Sequence, residues 1–212
     1  MKIDAFVLIG GRSSRLGEDK ASLMFGGETL AARAVSTIQN ALPDSRTRLV
    51  AANDGRLTPA LMIGIPFVFD VYLGRGSVGG LHGALANAET DWAFVLACDY
   101  PFVSARLIEI LLRHVTVDFD TVIAEQPDDR LQPLCGFYRV GPWLERLEEI
   151  VARPRVPPPL FQLCRDAKTF YLPYSEYSWI ANSQNLFLNI NTADDLETAL
   201  KLEHKLSSEK VI

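Results

Sequence analysis

The sequence predicts an α/β fold: a single three-layer domain in which helices flank a mostly parallel sheet. Two observations support this prediction. The apolar run at 5–9 has the continuous character of a strand that is buried on both faces, and further strands are expected at 48–52 and 92–97. Segments with helical spacing lie between these strands, for example the segment that follows the N-cap residue Thr29 and extends to about Ala41. Strands that alternate with helices indicate parallel pairing through right-handed crossovers.

Length and composition indicate one soluble domain. The 212 residues suit one sizeable domain, expected over 1–206, with a frayed tail at 207–212. The apolar content of 48% and charged content of 22% are typical of globular proteins. A net charge of −5 argues against a general nucleic-acid surface.

A cytoplasmic location is expected from three further features. No apolar run approaches the roughly 20 residues of a membrane span. The chain enters a strand almost at once, which leaves no room for a targeting segment. The 3 cysteines are odd in number and form no C-x-x-C pair, which is typical of reduced thiols and gives no indication of a zinc site.

The remaining elements follow from local patterns. Gly26-Gly27-Glu28 predicts a tight turn, and the glycine-rich stretch 74–83 predicts a flexible loop that enters a helix, although close helix–sheet packing explains its glycines equally well. Pro133 favours an edge position for the strand at 132–138. The prolines of 154–159 predict an extended connection. Further strands are expected at 65–70, 121–124 and 168–173, with helices after Ser104, from Pro142 and after Thr192.

The loop after the first strand has the residues of a polyphosphate site. It runs from Gly10-Gly11 to Lys20 and contains Arg15 among several small and cationic residues. Backbone amides, hydroxyls and fixed positive charge suit one anion. The alternative is an ordinary turn with solvated basic residues. The sequence does not match the P-loop, because Lys20 is not part of a Gly-Lys-Ser/Thr ending, and its glycines do not have dinucleotide-fingerprint spacing.

Small or polar residues also follow other predicted strands. Gly10, Asn53 and Asp70 each end an apolar run, and ligands of parallel sheets bind at the carboxyl ends of strands. Asn and Asp are also common turn residues, so a purely structural role remains open for each.

The second motif is the strand at 92–97 with Cys98 and Asp99 directly after it. A carboxylate at this place is suited to hold Mg²⁺ against phosphate oxygens, because Mg²⁺ takes oxygen ligands and usually one or two from protein. The alternative is a turn or N-cap aspartate. Cys98 is expected to be a small buried residue and not a nucleophile.

These motifs resemble those of the molybdenum cofactor guanylyltransferase (MobA) family, nucleotidyltransferases with a Rossmann-like, glycosyltransferase-A-like fold. The resemblance rests on Leu8-Ile9-Gly10-Gly11, on Arg15-Leu16-Gly17-x-Asp19-Lys20 and on Cys98-Asp99-x-Pro101-Phe102. Weaker similarity extends to the segments at 76–80 and 191–195. In related enzymes an aspartate that ligates metal often stands where this chain has Asn191, a weaker ligand.

The resemblance implies a Mg²⁺-dependent transfer of GMP from GTP to molybdenum-molybdopterin with release of pyrophosphate. GTP and molybdenum-molybdopterin are then the substrates, with a possible molybdopterin-delivering protein as partner and no role for nucleic acid or membrane. The catalytic residues implied are Arg15, Lys20 and Asp99, with Asp99 as the metal ligand. The nucleotide-binding residues implied are Leu8, Ile9, Gly10, Gly11, Lys20, Asn53, Asp70 and Asp99.

Two other functions are compatible with the sequence. One is a related transferase, using CMP for molybdopterin or acting on a sugar or alditol phosphate. The other is a nucleotide-binding partner protein without turnover. The proline-rich stretch 154–159 departs from the family pattern on the side where the acceptor is expected, so the sequence leaves the acceptor open. His82 is expected to be a surface or capping residue and is given no role.

Overall fold

The computed structural model of the chain describes residues 1–9, 19–53 and 64–209. The strands are β1 (Asp4–Leu8), β2 (Met24–Phe25), β3 (Glu28–Thr29), β4 (Arg46–Ala52), β5 (Phe67–Asp70), β6 (Trp92–Ala97), β7 (Thr121–Glu125), β8 (Leu131–Arg139) and β9 (Thr169–Leu172). The helices are α1 (Leu30–Ala41), α2 (Gly76–Ala86), α3 (Ala105–Arg113), α4 (Val140–Ala152), α5 (Leu160–Arg165), α6 (Tyr174–Tyr177) and α7 (Ala193–Glu209).

Seven strands form one sheet in the order β5-β4-β1-β6-β8-β7-β9. Within the described ranges, β8 is the strand of this sheet that runs antiparallel to both of its neighbours, β6 and β7, and the other pairs are parallel. The prediction of a single α/β domain with a mostly parallel sheet is therefore confirmed.

The buried strand β1 separates two hydrophobic cores. Ala5 and Val7 face the core beneath α1 and α3, whereas Phe6 and Leu8 face the core beneath α2 and α4. This alternation follows from the twofold period of a strand, and burial on both faces explains why the run is apolar throughout. A smaller core, which includes Phe25 and Phe102, packs beneath α7.

Local capping and turn chemistry agree with the sequence. The Thr29 hydroxyl accepts a hydrogen bond from the Ala32 amide at 3.1 Å and begins α1, and Ser104 begins α3 in the same way. Gly26 and Gly27 join β2 and β3 with φ of +60° and +89°, a left-handed pair that suits a two-residue hairpin turn.

The edge position predicted for the strand with Pro133 is wrong. β8 lies between β6 and β7, inside the sheet. Proline is tolerated there because β6 pairs with β8 only between Cys135 and Arg139, and the register against β7 shifts between Ile123 and Glu125. Pro133 therefore stands where neither neighbour needs its missing N–H.

The glycine-rich stretch is already helical from Gly76 onwards, where a flexible loop leading into a helix was predicted. α2 begins at Gly76, and its glycines allow close contact with the sheet. A Cβ at Gly80 would lie 3.3 Å from a Leu8 methyl carbon, and one at Gly83 would lie 3.2 Å from the Asp70 Cα. The alternative explanation of these glycines, close helix–sheet packing, is therefore the correct one.

The carboxyl-terminal part contains an extended connection and a long helix. Residues 153–159 join α4 to α5 without regular structure, as the prolines predict. α7 continues to Glu209, so residues 207–209 of the predicted frayed tail are helical, and 210–212 lie outside the described residues. Within the described ranges no helix combines the length and the apolar character needed to cross a membrane.

A buried carboxylate anchors the amino-terminal end of β1. Asp4 is fully buried and accepts from Nε of Arg46 at 2.9 Å and from the backbone amide of Glu89 at 2.5 Å. A second guanidinium, that of Arg48, lies 3.2 Å from the same carboxylate. Asp4 therefore connects β1, β4 and the turn before β6 at the edge of the sheet opposite to the strand ends that carry Asp70 and Asp99.

We expect Asp4→Asn to lower the free energy of unfolding by about 1.5–3 kcal/mol, because it removes the buried carboxylate that pairs with the partly buried guanidinium of Arg48 and the exposed one of Arg46. Urea unfolding of the two proteins measures this difference. Asp118→Asn is the matched control, since Asp118 is exposed, and it should change the free energy by less than about 0.5 kcal/mol. A loss for Asp4→Asn no larger than the control's would contradict a supporting role for this network.

Candidate nucleotide-binding site

The carboxyl ends of four adjacent strands place the predicted site residues along one edge of the sheet. Leu8 ends β1 opposite Val50 of β4 and Ala97 of β6. Ala52 of β4 pairs with Asp70 of β5, so Asn53 follows directly beside Asp70. Asp99 follows β6 on the other side of β1. The edge therefore presents Asp70, Asn53, the end of β1 and Asp99 in this order.

An ion pair at this edge of the sheet joins Lys20 to Asp99. The Lys20 ammonium donates to Asp99 Oδ2 at 2.9 Å and to Oδ1 of Asn191 at 2.7 Å. Both charged side chains are 17% exposed, so the ion pair is largely shielded from solvent. The structure thus brings together two predicted catalytic residues, 79 positions apart, with a third residue from the carboxyl-terminal segment.

The backbone around Lys20 is fixed by the residue before it. Asp19 precedes a short 3₁₀ turn at Lys20–Ser22, and its carboxylate accepts from the Ser22 hydroxyl at 2.6 Å. The Ser22 amide donates to the Asp19 carbonyl at 3.0 Å. The two residues of the Asp-Lys motif therefore have different roles. Asp19 stabilises the turn, and Lys20 contacts Asp99 and Asn191 in the site.

Asn191 is positioned by the start of α7. The Asp195 carboxylate accepts from the amides of Asn191 and Thr192, both at 2.9 Å, and the Asp195 amide donates to the Thr192 hydroxyl. These reciprocal bonds form the predicted capped helix start, and the Asn191 amide is the largest cause of the lowered pKa of Asp195. The Ile190 amide donates to the Asp99 carbonyl at 3.1 Å, which fixes Asn191 beside Asp99.

The oxygens at Asp99 and Asn191 fit a magnesium ion. Asp99 Oδ1 is buried and has no hydrogen-bond partner among the described residues. The Asp99 oxygen without a partner is a hard ligand of the kind Mg²⁺ prefers, and the Asn191 amide oxygen, which accepts one bond from Lys20, keeps a second lone pair for the ion. No cluster of three acidic, histidine or cysteine side chains occurs in the described ranges. Such a site would rely on phosphate and water oxygens for its remaining ligands, as Mg²⁺ sites commonly do.

The other end of the edge is formed by Asp70 beneath α2. Asp70 is buried, and its Oδ1 accepts from the Tyr72 amide at 2.8 Å. Its Oδ2 faces Gly79, where an added Cβ would lie 2.6 Å away. Burial raises the pKa of Asp70, and the hydrogen bond from Tyr72 opposes this effect. α2 therefore covers one side of this carboxylate.

His82 is buried near Asp70 and Tyr72, contrary to the prediction of a surface or capping residue. It is 5% exposed and its ring lies edge-on to Tyr72, with the centroids 5.0 Å apart. Burial lowers the pKa of His82, and the Asp70 carboxylate raises it in part. Its Nδ1 has no partner in the described part of the chain. The prediction failed because α2 begins at Gly76, so His82 lies inside the helix, on a buried face, and not at a free helix end.

Three of the other predicted site residues lie within the described part of the chain, and three lie outside it. The side chains of Leu8 and Ile9 are buried, the Ile9 amide donates to Val50 O, and Leu8 O accepts from Cys98, so both residues belong to the sheet at the edge of the site. Asn53 is exposed beside Asp70. The predicted Gly10, Gly11 and Arg15 lie outside the described residues. Binding roles for all of these remain predictions.

Arg75, in the turn before α2, contacts the proline-rich connection. Its guanidinium donates to the carbonyls of Arg155 and Arg153 at 2.6 and 2.5 Å. It stands between Gly74 and Gly76, whose φ values of +76° and +57° allow the sharp turn before α2. Arg75 thus ties the proline-rich connection to the start of α2.

Comparison with known proteins identifies the family. The sequence model of the MobA-like NTP transferase domain matches residues 5–156, which is more than half of the chain. The chain belongs to this family. The resemblance inferred from the two motifs is therefore confirmed, and the motif residues 8–20 and 98–102 both fall within the matched range.

Similar proteins cover nearly the whole of this MobA-like chain. It is 30% identical over 207 residues to the molybdenum cofactor guanylyltransferase of Desulfosudis oleivorans, covering 93% of this chain and 94% of the relative. The corresponding protein of Vibrio campbellii is 28% identical, with the same coverage. The crystal structure of molybdopterin-guanine dinucleotide biosynthesis protein A from Archaeoglobus fulgidus superposes with a TM-score of 0.75 at 26% identity, over 97% of this chain and 100% of that one.

The structure adds Asn191 to the residues predicted for this MobA-like site. Its amide oxygen lies in the same contact as Asp99, although the sequence reading treated Asn191 mainly as a weak substitute for an aspartate. The signal was present in the Asn191-Thr192-x-x-Asp195 pattern. It could not be used fully, because the sequence does not show that the Ile190 amide binds the Asp99 carbonyl.

We expect Gly79→Ala to lower the free energy of unfolding by about 1–3 kcal/mol, because the new methyl group would displace the buried Asp70 carboxylate. Thermal or urea unfolding measures the loss. Gly141→Ala is the matched control, since a Cβ there meets nothing within 4 Å and the position lies in a helix. It should be neutral or stabilising by up to about 1 kcal/mol. Equal stability of the two variants would contradict the prediction, because it would show that the Asp70 carboxylate can move away from the added methyl group at no cost in free energy.

Proposed function

We propose that this chain transfers GMP from GTP to molybdenum-molybdopterin, with release of pyrophosphate, in the biosynthesis of molybdopterin guanine dinucleotide. The observation that carries the proposal is the contact of Lys20 with Asp99, which is largely shielded from solvent, and with the exposed Asn191 at the carboxyl edge of the sheet. Relatives that span the chain are named molybdenum cofactor guanylyltransferases, which supports the choice of GTP and of this acceptor.

The order of residues along the edge supports one orientation of the nucleotide. Asp70 ends β5 and Asp99 follows β6. These two strands are separated by β4 and β1 and thus by three strand spacings, about 14 Å in total. This distance suits a nucleotide that lies along the edge. Its base would be close to the Asp70 carboxylate, an acceptor for guanine N–H groups, and its triphosphate would be close to the Lys20 ammonium.

Lys20 has capacity to bind phosphate while it holds the site together. An ammonium group carries three N–H donors, and two of them serve Asp99 and Asn191. The third donor and the positive charge remain for a phosphate oxygen. A charge-assisted hydrogen bond of this kind is stronger than a neutral one, and partial burial reduces its screening by solvent.

The reaction needs no general base from the protein. The terminal phosphate of the acceptor is anionic at neutral pH, so one of its oxygens attacks the α-phosphorus directly while the bond to the leaving pyrophosphate breaks. Cys98, next to Asp99, takes no part, because burial raises the pKa of its thiol and keeps it neutral. Catalysis then consists of positioning and of charge neutralisation.

Asp99 and Asn191 are the residues that would hold Mg²⁺. The ion supplies Lewis-acid neutralisation of charge on the phosphate oxygens when it is bound. The protein's own contribution is to hold the Asp99 carboxylate and the Asn191 amide oxygen at a fixed place. The ladder of β6 and the cap of α7 both restrict their movement.

We expect the protein to prefer GTP over ATP, CTP and UTP, because a site that hydrogen-bonds guanine would leave polar groups unpaired with another base. Affinities for the four nucleotides, and pyrophosphate release on mixing each with molybdenum-molybdopterin, provide the test. A clear CTP preference would instead support the cytidylyl alternative. Tight GTP binding without pyrophosphate release in the presence of acceptor would support a non-catalytic partner protein.

We expect Lys20→Ala and Asp99→Asn to have different kinetic effects. Lys20→Ala should weaken GTP binding by about 1.5–3 kcal/mol, because it removes a charge-assisted contact with phosphate. Asp99→Asn should retain most nucleotide affinity and reduce turnover about a hundredfold or more, because the anionic ligand is lost. GTP titrations and turnover across a range of Mg²⁺ concentrations measure both effects.

Exposed residues of the same types provide the controls for this pair. Lys201→Ala changes an exposed lysine on α7, and Asp118→Asn changes an exposed aspartate, so both variants should behave as the parent does. A melting curve confirms that each variant is folded. A folded Asp99→Asn protein with parental rate and parental Mg²⁺ dependence would return Asp99 to the role of a turn residue.

A further inference from the structure

The guanidinium of Arg33 lies between the two chain segments that carry Asp99 and Asn191. Its Nε donates to the carbonyl of Pro101 at 2.8 Å, two residues after Asp99. Its Nη2 donates to both carboxylate oxygens of Glu203 at 3.1 and 3.2 Å. Glu203 lies on α7, the helix whose amino-terminal cap fixes Asn191. One side chain of α1 therefore holds both segments.

The surroundings of Arg33 restrict its position. Its side chain is 23% exposed and that of Glu203 is 21% exposed. The guanidinium carbon lies 4.9 Å from the centroid of the Phe25 ring, in cation–π geometry. The hairpin turn comes so close that a Cβ at Gly26 would lie 2.6 Å from Glu203 Oε1 and 2.8 Å from Arg33 Nη1. This contact is packed on several sides and is not a loose surface ion pair.

Arg33 also forms an ion pair that connects α7 to another part of the fold, the helix α1. Among the ion pairs of residues 1–9, 19–53 and 64–209, the pair between Arg33 and Glu203 connects α7 to another element. The other ion pair of α7, Lys201 with Glu197, lies within the helix. Movement of α7 would carry Asn191 with it, since the cap is part of the same helix.

We infer that Arg33 is a positioning residue for the metal-binding oxygens, because it fixes the segment of Asp99 relative to that of Asn191 through Pro101 and Glu203. The inference rests on the proposed function, which assigns those two oxygens to Mg²⁺. The planar guanidinium has donors in several fixed directions, and these serve a carbonyl and a carboxylate at the same time. Lysine has a single flexible ammonium and cannot reproduce this geometry.

The test is the affinity of the protein for Mn²⁺, measured by electron paramagnetic resonance with a saturating non-hydrolysable GTP analogue. We expect Arg33→Lys and Glu203→Gln each to weaken Mn²⁺ binding about tenfold, the size of effect that outer residues have on metal sites. Affinity for the analogue without metal should stay within about twofold of the parent, because Lys20 and the edge of the sheet are retained.

Two further variants distinguish positioning from general stability. Glu197→Gln removes the exposed ion pair within α7 and should leave Mn²⁺ affinity unchanged. The double variant Arg33→Lys with Glu203→Gln should be no weaker than the weaker single variant, because both changes break the same contact. If Arg33→Lys does not fold, Glu203→Gln alone decides the question, since it keeps the size of the side chain.

The outcomes separate this inference from the proposed function. If the parent binds the GTP analogue with Mn²⁺, and the folded variants melt earlier but keep parental Mn²⁺ affinity, Arg33 has a purely structural role and the inference is wrong. If the parent itself binds no Mn²⁺ with the GTP analogue, the proposed function fails and the inference fails with it. Weaker Mn²⁺ binding in both single variants but not in Glu197→Gln supports the inference.

Discussion

The contact of one ammonium group with two oxygens is the interaction on which the site depends. Lys20 reaches Asp99 and Asn191 from a segment that is distant in sequence from both, and 171 positions separate it from Asn191. Each of the three residues is held by its own local device: a 3₁₀ turn at Lys20, the end of β6 at Asp99 and the cap of α7 at Asn191. A charge that is largely shielded from solvent is screened less by salt, which suits a site that must bind a highly charged ligand.

Close approach of the backbone forms the other half of the site. The glycines of α2 bring the helix directly onto the ends of β1 and β5, and this packing buries Asp70 and the His82 side chain of the helix. A helix with larger residues at these positions would stand farther from the sheet and leave Asp70 exposed. The small residues of α2 therefore determine how closely the helix covers Asp70, the residue beside which we place the base.

Much of the fold could be predicted from the sequence because its signals are local. The apolar run of β1, the caps at Thr29 and Ser104 and the hairpin at Gly26-Gly27 each depend on neighbouring residues, and all were confirmed. The position of β8 could not be predicted in this way. Strand order is decided by long-range pairing, and Pro133 is tolerated inside the sheet because a register shift removes the need for its N–H.

The site was predictable in part for the same reason. Asp99 could be identified from its strand end and Lys20 from its motif, but their contact required the fold. The glycines of α2 suggested flexibility because glycine lowers helix propensity, whereas contact with the sheet overrides that preference. The burial of His82 follows from the same packing. The link from Arg33 to Pro101 and Glu203 joins three distant segments, and no local pattern predicts it.

The proline-rich connection has a consequence for the kind of ligand it can face. Four of the seven residues from 153 to 159 are proline, and both ends of the stretch have extended angles, with φ −74° and ψ 143° at Arg153 and φ −56° and ψ 139° at Pro159. Proline restricts the backbone of the unfolded chain as well as that of the folded one. The connection therefore loses less conformational entropy when it folds. Proline also has no N–H, and Arg75 occupies two of the carbonyls. The connection is therefore restricted in its backbone conformations and poor in backbone donors, and an anion that lies against it would have to be recognised by side chains.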